Sequence, residues 1–559
     1  MRVTRTRAAL VATASAALLF SAAASATAVV DDATLVPHSH FTMQPDGSSG
    51  AAAHGANIPN IDSVKSTIRA YYGATDAAHP GIANKTDSPY ITEMNAIEAN
   101  ILAHMPAAPT ANLAVVFDAD DTTLWTYDME DGAMKFNFNL ALQGQWVHDQ
   151  LFPATPGMVA FAKAVQAKGY NLYGITGRGA SQESDTLANL TSVGYKLDDG
   201  TPLFNADNFF TKFETPDTKP SYLDCHTSVD PADDPAKCTT VEYKAGTRKH
   251  IQDDLHQTIV LNIGDQFSDL QGGYSMNSVK LPNPTYYLPS PDITGAPSSD
   301  SSLTPRTEFT MAPNGSSGTT EGGAGIPNID SVKSTIRTYY GAVPNADKKY
   351  IASKTASPYI TEMHAFSNTW APRLKNVCSR ESAAGNRPAV VFDADDTTLW
   401  TYDMEDGDMQ FNFDPTLQST WVQDERFPQV PYMASVVRSA AKYGCKVIGL
   451  TGRNNTQRIA TLDNLAKYYY DAKTDQPLFR SQYYFTKFTS AQPPAYLDCA
   501  QDSDPTKCSV VEYKSGTRSY VQKHFKVKIV ANFGDQFSDL IGGSSERAVK
   551  VPNPTYYLP

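Results

Sequence analysis

Positive charge is in deficit along this sequence. Lys and Arg number 46 against 59 Asp and Glu, which gives the 559 residues a formal net charge of −13. A surface of that sign argues against nucleic acid or an anionic membrane as the main partner. It does not argue against a phosphorylated small molecule, because a bound metal ion can invert the field inside one pocket.

Long hydrophobic runs are absent after the first 28 residues, so no later segment is predicted to span a membrane. Before that point, three arginines precede an apolar run from residue 8 to residue 20, and small residues follow. This order is typical of a cleaved signal peptide, here residues 1–28. A membrane anchor is the alternative, but the run is short for a span. We therefore expect a secreted protein, released outside the cell or into the cell envelope.

The chain contains two tandem copies of one domain. Residues 58–69 return as 326–337, residues 116–132 as 391–407, and residues 283–289 as 553–559. A period near 270 residues is far too long for a solenoid and indicates a duplicated domain. We predict a first domain over residues 29–289 (copy one) and a second over residues 308–559 (copy two).

The segment between the copies, residues 290–307, is rich in Pro, Ser, Thr and Asp and is predicted to be an exposed linker. Two Gly- and Ser-rich stretches, residues 46–56 and 314–325, precede the first helix of each copy. We expect both stretches to be mobile leaders.

Short apolar runs alternate with helical patterns inside each copy. Residues 113–117, 171–175 and 258–263 are such runs, and each ends at polar residues. Residues 156–168 have helical spacing and stop at Gly169. The alternation predicts an α/β fold, a parallel sheet with helices on both faces. Ligands bind at the carboxyl ends of the strands in such sheets, where these polar residues lie.

Four polar clusters occur in both copies, in the same order. They are residues 117–122 and 392–397, residues 176–178 and 451–453, residues 243–248 and 513–518, and residues 264–269 and 534–539. The first and second clusters are separated equally in the two copies, with 58 residues from Asp118 to Thr176 and 58 from Asp393 to Thr451.

These clusters hold the groups that phosphoryl transfer requires. A carboxylate at a strand end can attack phosphorus, and a second carboxylate can protonate the leaving oxygen. A hydroxyl and a lysine can hold phosphate oxygens, and further carboxylates suit Mg²⁺. An isolated Asp-x-Asp is usually a solvated turn and a lone lysine means nothing. The evidence for a phosphoryl-transfer site is that four such clusters follow one another in the same order, each at a strand end, in both copies.

The sequence Asp-x-Asp-x-Thr after an apolar strand, then Thr-Gly-Arg, Lys and Gly-Asp-x-x-x-Asp, resembles the four motifs of the haloacid-dehalogenase (HAD) superfamily. Residues 243–248 and 264–270 further resemble its acid phosphatase branch, which includes the class B and class C bacterial enzymes and the plant vegetative storage proteins. The resemblance covers residues 58–289 and 326–559. It implies two tandem HAD-like domains, each with a parallel sheet and a small cap insertion.

The resemblance also implies a role for each motif residue. Asp118 and Asp393 would be the nucleophiles, and Asp120 and Asp395 the general acid and base. The phosphoryl group would be bound by Thr176, Gly177, Lys244, Thr451, Gly452 and Lys514. The Mg²⁺ site would comprise Asp118, Asp120, Asp265, Asp269, Asp393, Asp395, Asp535 and Asp539, with Asp269 and Asp539 acting from the second shell or through water.

Motifs of other phosphatase chemistries are missing. The sequence has no Arg-His-Gly, which a histidine phosphatase requires, and no cysteine is followed by Arg six residues later. The prediction is therefore a secreted, Mg²⁺-dependent phosphomonoester hydrolase with two active sites per chain and a small-molecule substrate. A non-catalytic storage or binding protein on the same fold and a phosphotransferase stay open, as does the oligomeric state.

Three features outside the motifs carry expectations of their own. Export favours disulfides, and the spacing predicts Cys225–Cys238 and Cys499–Cys508, since each pair lies between the second and third clusters. A bridge between the two remaining cysteines, at positions 378 and 445, is left open.

Arg248 and Arg518 follow their lysines by four residues, so each either supports the site or forms a surface ion pair. Nothing in the motifs requires a residue from the other copy, so we expect two self-contained sites.

Overall fold

A computed structural model describes residues 54–303, 322–471, 473–490, 492–499 and 507–558, with short stretches at 32, 35–37, 41–42, 49–52, 309–310 and 317–320. The predicted signal peptide lies outside these residues, and the predicted domain and linker boundaries stay predictions. Within the part of the chain that is described, no helix combines the length and the apolar character that a bilayer span needs.

Copy one is an α/β domain with one parallel sheet. Its helices are α1 (Ile61–Tyr71), α2 (Pro89–His104), α3 (Leu140–His148), α4 (Met158–Ala167), α5 (Glu183–Ser192), α6 (Thr240–Asp253) and α7 (Phe267–Leu270). Its strands are β1 (Leu113–Phe117), β2 (Asn171–Gly179), β3 (Phe209–Lys212), β4 (Thr258–Gly264) and β5 (Ser278–Lys280). The strand order is β3-β2-β1-β4-β5, and all pairs are parallel.

Copy two repeats this arrangement. Its helices are α8 (Ile329–Tyr340), α9 (Pro358–Ala383), α10 (Pro415–Gln423), α11 (Met433–Lys442), α12 (Arg458–Ala466), α13 (Val510–Phe525) and α14 (Phe537–Leu540). Its sheet strands are β8 (Pro388–Phe392), β9 (Lys446–Asn454), β12 (Tyr484–Lys487), β13 (Lys528–Gly534) and β14 (Ala548–Lys550), in the order β12-β9-β8-β13-β14. Two short hairpins add β6 (Val343–Pro344) with β7 (Tyr350–Ile351), and β10 (Tyr470–Asp471) with β11 (Gln476–Pro477).

The predicted fold class is confirmed, with one correction to an element. The apolar run at residues 171–175 was expected to end at Thr176, but β2 continues to Gly179. It does so because Gly179 rejoins β3 opposite Lys212, beyond an irregularity in the pairing after Ile175. The second cluster, residues 176–178, therefore lies within the second half of the strand and not beyond its end.

A π-helix follows the first cluster in each copy, at Asp128–Ala133 and Asp403–Asp408. We call residues 128–137 and 403–412 the cap segments of copies one and two. Each cap segment lies over the carboxyl end of its sheet, because its parent strand β1 or β8 ends there.

The two copies share their main hydrophobic core. A single cluster of buried apolar side chains includes Ile61 and Ile68 of α1, Ile329 and Ile336 of α8, and residues from one face of both sheets. The other face of each sheet has a separate cluster of its own. Since burial of apolar surface is the main force that stabilises a fold, the copies stabilise each other.

The described parts of the two Gly-rich leaders cross between the copies. Gly50 packs against the Tyr339 ring of copy two, and Gly318 against the Tyr71 ring of copy one. Both glycines have positive φ, 98° and 95°. A Cβ at either position would lie 2.6 Å from the tyrosine Cζ, so only glycine permits this approach. Both glycines are packed against the other copy, and the mobility of the leaders stays a prediction.

All six cysteines are paired. The predicted bridges Cys225–Cys238 and Cys499–Cys508 are present, and the bridge left open, Cys378–Cys445, forms as well. The third bridge ties α9 to the residue before β9 and has no counterpart in copy one.

Candidate active site

The acidic residues of the first and fourth clusters meet at the carboxyl ends of two adjacent strands. Asp118 follows β1 directly and Asp265 follows β4, while Asp269 lies on the short helix α7. The two strand ends are joined by a hydrogen bond from Asp118 N to Ile263 O at 3.0 Å. A parallel sheet places consecutive strand ends at one edge, which brings these distant residues together.

Lys244 joins two of these carboxylates. Its Nζ donates to Asp118 Oδ1 at 2.5 Å and to Asp269 Oδ1 at 2.6 Å, and all three side chains are buried. Burial disfavours the ammonium ion, but the two carboxylates more than offset this and raise the pKa of Lys244 above its ordinary value. Lys244 is therefore a fixed positive charge beside the candidate nucleophile.

Copy two has the same arrangement. Lys514 Nζ donates to Asp393 Oδ1 at 2.7 Å and to Asp539. The carboxylates again raise the lysine pKa against the effect of burial. Burial raises the pKa of both candidate nucleophiles, Asp118 and Asp393, well above the ordinary range.

Three carboxylates in each copy form a group that fits a divalent cation. One oxygen from each of Asp118, Asp265 and Asp269 lies within 4.8 Å of the others, and the same holds for Asp393, Asp535 and Asp539. Asp265 Oδ1 is buried and has no hydrogen-bond partner among the described residues. A buried, unpaired carboxylate oxygen is costly unless a cation compensates it, and oxygen donors suit Mg²⁺.

The other oxygen of Asp265 is held by amides. Gln266 Nε2 and Asn283 Nδ2 each donate to Oδ2 at 2.7 Å. Burial, followed by the charge of Asp269, raises the pKa of Asp265 to about 6. Burial and the charge of Asp539 likewise raise the pKa of Asp535 to about 6. Its Oδ1, unlike that of Asp265, accepts a hydrogen bond from Thr397 Oγ1 at 3.3 Å. The two candidate metal groups thus differ by one hydroxyl contact.

The candidate acid and base, Asp120, is separated from this group and faces the cleft. Arg178 donates to it through NH2 at 2.6 Å and through Nε at 3.2 Å. The Arg178 side chain is 1% exposed and the Asp120 side chain 30% exposed. Arg453 holds Asp395 in the same way in copy two. A charge-assisted contact of this kind fixes the carboxylate while leaving it open to a ligand.

The remaining motif residues occupy two different positions. Thr176 is fully buried, and its hydroxyl accepts a hydrogen bond from Arg178 N at 3.1 Å. Gly177 lines the cleft. Thr451 is buried in the same way and accepts from Arg453 N at 3.2 Å, next to Gly452. Their role in binding phosphate stays a prediction.

Two supporting residues were not identified from the sequence. Arg178 belongs to the second cluster, but the motifs predict no role for it. Asn283 begins the repeated ending, and its side chain contacts both Asp265 and Asp121. The signal was present in both cases, because each residue recurs in the other copy at the equivalent position.

Arg248 and Arg518 support the site instead of forming surface ion pairs. Both are buried, and Arg248 donates to Asp269 O at 2.7 Å and to Gly273 O at 2.8 Å. Arg518 donates to Gly543 O at 2.9 Å and to Asp539 O at 2.6 Å. Each arginine therefore fixes the backbone that carries the last acidic residue of its metal group.

A cleft of about 700 Å³ opens over the first site. Copy one contributes Asp118, Asp120, Glu130 and Lys244 to its lining, and copy two contributes Asp330, Lys333, Arg337 and Gln410. The expectation of self-contained sites holds for the motif residues but is wrong for the cleft, because α8 and the cap segment of copy two form part of its wall.

A parallel α/β domain with an Asp-x-Asp pair after its central strand, a bridging lysine and an acidic group on the next strand defines a HAD-type domain. The family model for the HAD superfamily, subfamily IIIB (acid phosphatase), matches residues 84–289 and 332–559. The chain belongs to this family, and it contains the family domain twice.

Similar curated proteins come from plants. The stem 28 kDa glycoprotein of Glycine max is 28% identical over 184 residues, which is 32% of this chain and 64% of that protein. Acid phosphatase 1 of Solanum lycopersicum is 29% identical over 177 residues, 31% of this chain and 60% of that protein. The chain thus spans less than two thirds of the length of these relatives. Among solved structures, the class C acid phosphatase from Bacillus anthracis matches with a TM-score of 0.27 and 19% identity, covering 40% of this chain and 86% of that one.

Proposed function

We propose that this protein is a metal-dependent phosphomonoester hydrolase with one active site in each copy. The observation that carries the proposal is the buried group of a candidate nucleophile, its lysine and two further carboxylates, present in both copies. Membership of the acid phosphatase family supports the same reaction class.

In the proposed reaction, Asp118 attacks phosphorus and forms an aspartyl phosphate, while the bond from phosphorus to the leaving oxygen breaks. Asp120 donates its proton to that oxygen, so the product leaves as an alcohol. Asp120 then takes a proton from water, and the hydroxide displaces Asp118 from phosphorus to release inorganic phosphate. Asp393 and Asp395 perform the same steps in copy two.

The charges that develop during the reaction would be stabilised by side chains whose positions are already held by hydrogen bonds. Lys244 neutralises charge on the nucleophile and the phosphoryl oxygens, and Arg178 keeps Asp120 directed at the leaving group. Asp118, Asp265 and the backbone carbonyl of Asp120 would hold Mg²⁺, with Asp269 supporting them directly or through water. When bound, the ion would supply further positive charge for the phosphoryl oxygens. Asp393, Asp535 and Asp539 would serve the second site.

We also propose export of the protein. Three disulfides support an oxidising compartment, and the N-terminal pattern supports cleavage after the signal peptide. The substrate is a small phosphomonoester whose leaving group fits the cleft. Two alternatives compete: a storage or binding protein without turnover, and a phosphotransferase that uses an alcohol in place of water.

A phosphomonoester panel tests the proposal. Purified protein should release inorganic phosphate from some members in the presence of Mg²⁺, lose turnover in EDTA and regain it when Mg²⁺ is returned in excess. Phosphate release with an added alcohol separates hydrolysis from transfer, because a transferase would form a new ester. Turnover unaffected by exhaustive chelation contradicts metal dependence, and no turnover of any member favours the storage protein.

A further inference from the structure

The first helix of each copy bridges the two copies. The carboxyl end of α8 is fixed to its own copy, where Arg337 donates to both Asp406 oxygens at 2.9 Å. Its amino end lies over the first site, where Asp330 and Lys333 line the cleft. One helix therefore links the cleft of the first site to the cap segment of copy two.

The amino end of α8 grips the last segment of copy one. Asn328 Nδ2 donates to Tyr286 O at 2.8 Å and to Asn283 O at 3.2 Å, and Ile329 N donates to Pro284 O at 2.9 Å. Asn283 is the residue whose side chain holds Asp265 of the candidate metal group. A chain of hydrogen bonds thus runs from the helix of copy two to a metal carboxylate of copy one.

Lys333 grips the cap segment of copy one. Its buried Nζ donates to Phe136 O and, at 3.2 Å, to Asn137 Oδ1. Phe136, Asn137 and Glu130 of that segment line the cleft beside Asp120. The wall that faces a leaving group is therefore held in place by an ammonium ion from the other copy.

The second site has the mirror arrangement. Lys65 of α1 donates to Phe411 O and, at 3.4 Å, to Asn412 Oδ1 in the cap segment of copy two. Asn60 Nδ2 donates to Tyr556 O at 2.8 Å and to Asn553 O at 3.3 Å. Asn553 in turn holds Asp535 at 2.8 Å. Two equivalent contacts that exchange residues reciprocally are what a two-fold interface produces.

We propose that each active site is completed in trans, with Lys333 of copy two as the positioning residue for the leaving-group wall of the first site and Lys65 of copy one as that for the second. The proposal rests on the proposed phosphatase function for its kinetic consequences, but its structural part stands without it. Among the described residues, the hydrogen bonds of Lys333 go to Phe136, Asn137 and Asp330 and not to a motif residue, so it acts through the cap segment and not on the reacting atoms.

A crossed set of variants tests this assignment. In an Asp393→Asn parent only the first site can turn over, and in an Asp118→Asn parent only the second. Lys333→Ala should raise KM for bulky phosphomonoesters on the order of tenfold in the first parent and leave the second parent unchanged. Lys65→Ala should do the reverse. Competitive inhibition by inorganic phosphate should stay constant throughout, because the phosphate site comes from one copy.

Hydrogen exchange gives a second readout that needs no turnover. Lys333→Ala should accelerate amide exchange in residues 128–137 but not in residues 403–412, and Lys65→Ala should do the opposite. Lys333→Arg should restore most of both properties, and Lys249→Ala, at a lysine side chain that is 51% exposed, should change neither. If Lys333→Ala unfolds, Lys333→Gln carries the same readouts.

The outcomes separate the two proposals. An effect of Lys333→Ala on the second site, on both sites equally or on neither overturns completion in trans. An inactive wild-type protein overturns the phosphatase proposal alone, and the exchange pattern then still decides the role of the two lysines.

Discussion

The two copies hold the end of their second helix differently: copy one uses a hydrogen bond to the residue before β2, and copy two uses a disulfide to the residue before β9. In copy one, α2 ends at His104, and the hydroxyl of Tyr170 donates to Pro106 O at 3.0 Å. In copy two, α9 runs on to Ala383, and Cys445 at the position of Tyr170 is bonded to Cys378. The carboxylates and lysines of the two sites nevertheless have the same partners, apart from the contact between Thr397 and Asp535. The periphery of this domain can therefore change while the site geometry is retained.

A second difference lies at the start of the helix between the first and second clusters, α4 in copy one and α11 in copy two. Copy one has the buried Glu98 against Gly157, at the start of α4. Copy two has the buried Ser367, and Tyr432 occupies the left-handed position at the start of α11. A carboxylate with an unpaired oxygen in one copy is thus replaced by a hydroxyl in the other.

Loss of both nucleophiles should have the largest effect. Asp118→Asn combined with Asp393→Asn removes the attacking carboxylate from both sites, and turnover should fall at least about 10³-fold. Phosphate release and thermal unfolding are measured together, with Asp207→Asn, an exposed position, as the control. Retained turnover in the folded double variant would contradict the assignment of Asp118 and Asp393 as the nucleophiles.

Removal of the third disulfide should destabilise the protein next most strongly. Closure of the 67-residue loop by Cys378–Cys445 is worth about 4 kcal/mol on chain entropy, against about 3 kcal/mol for the 13-residue loop of Cys225–Cys238. Double Cys→Ala variants of each pair are compared by denaturant unfolding. A larger loss from the shorter loop would show that the extension of α9 is not stabilised mainly by its bridge.

Glu98→Gln should stabilise the protein near neutral pH. Burial raises the pKa of Glu98 from 4.5 to about 8, so the folded state holds the neutral form. The stability from this protonation is fully present below pH 4.5 and is lost as pH rises through 8. Glutamine cannot ionise, so the variant should gain on the order of 1–3 kcal/mol at pH 8 and nothing at pH 4. Unfolding free energies across that range are measured, with exposed Glu214→Gln as the control; a pH-independent difference would contradict the assignment.

The single nucleophile variants should give the smallest change. Asp118→Asn and Asp393→Asn should each keep part of the turnover, and the two parts should sum to about the wild-type value if the chemical steps are independent. Assays on several substrates would show whether the two sites differ in preference. Complete loss from one substitution in a folded protein would show that only one copy is active.

The sheet and its four clusters were predictable because each depends on local sequence. Residues 113–117 and 258–263 are apolar runs that can only be buried strands, and the polar residues that follow must meet at one edge. The disulfides within one loop were predictable for the same reason. The end of β2 was not, because its extension depends on pairing with β3 beyond an irregularity that no local pattern marks.

The crossing of α1 and α8 could not be predicted from a repeat. Two nearly identical helices give no sign of which copy each one packs against, since the apolar face fits either partner equally well. Lys65 and Lys333 likewise read as ordinary solvent-facing lysines on amphipathic helices. Arg178 was overlooked because its partner Asp120 lies 58 residues away, and only the adjacency of β1 and β2 brings them together.

The reciprocal exchange of leader helices gives the chain the form of a two-fold homodimer whose subunits are fused. In a homodimer every mutation appears in both subunits, so a harmful change damages both sites at once. In the fused chain a mutation falls on one copy only. Differences such as Glu98 against Ser367 can therefore arise in one half without appearing in the other. An excised half would lose the wall of its cleft, and it should recover that wall only by dimerising with a second copy of itself.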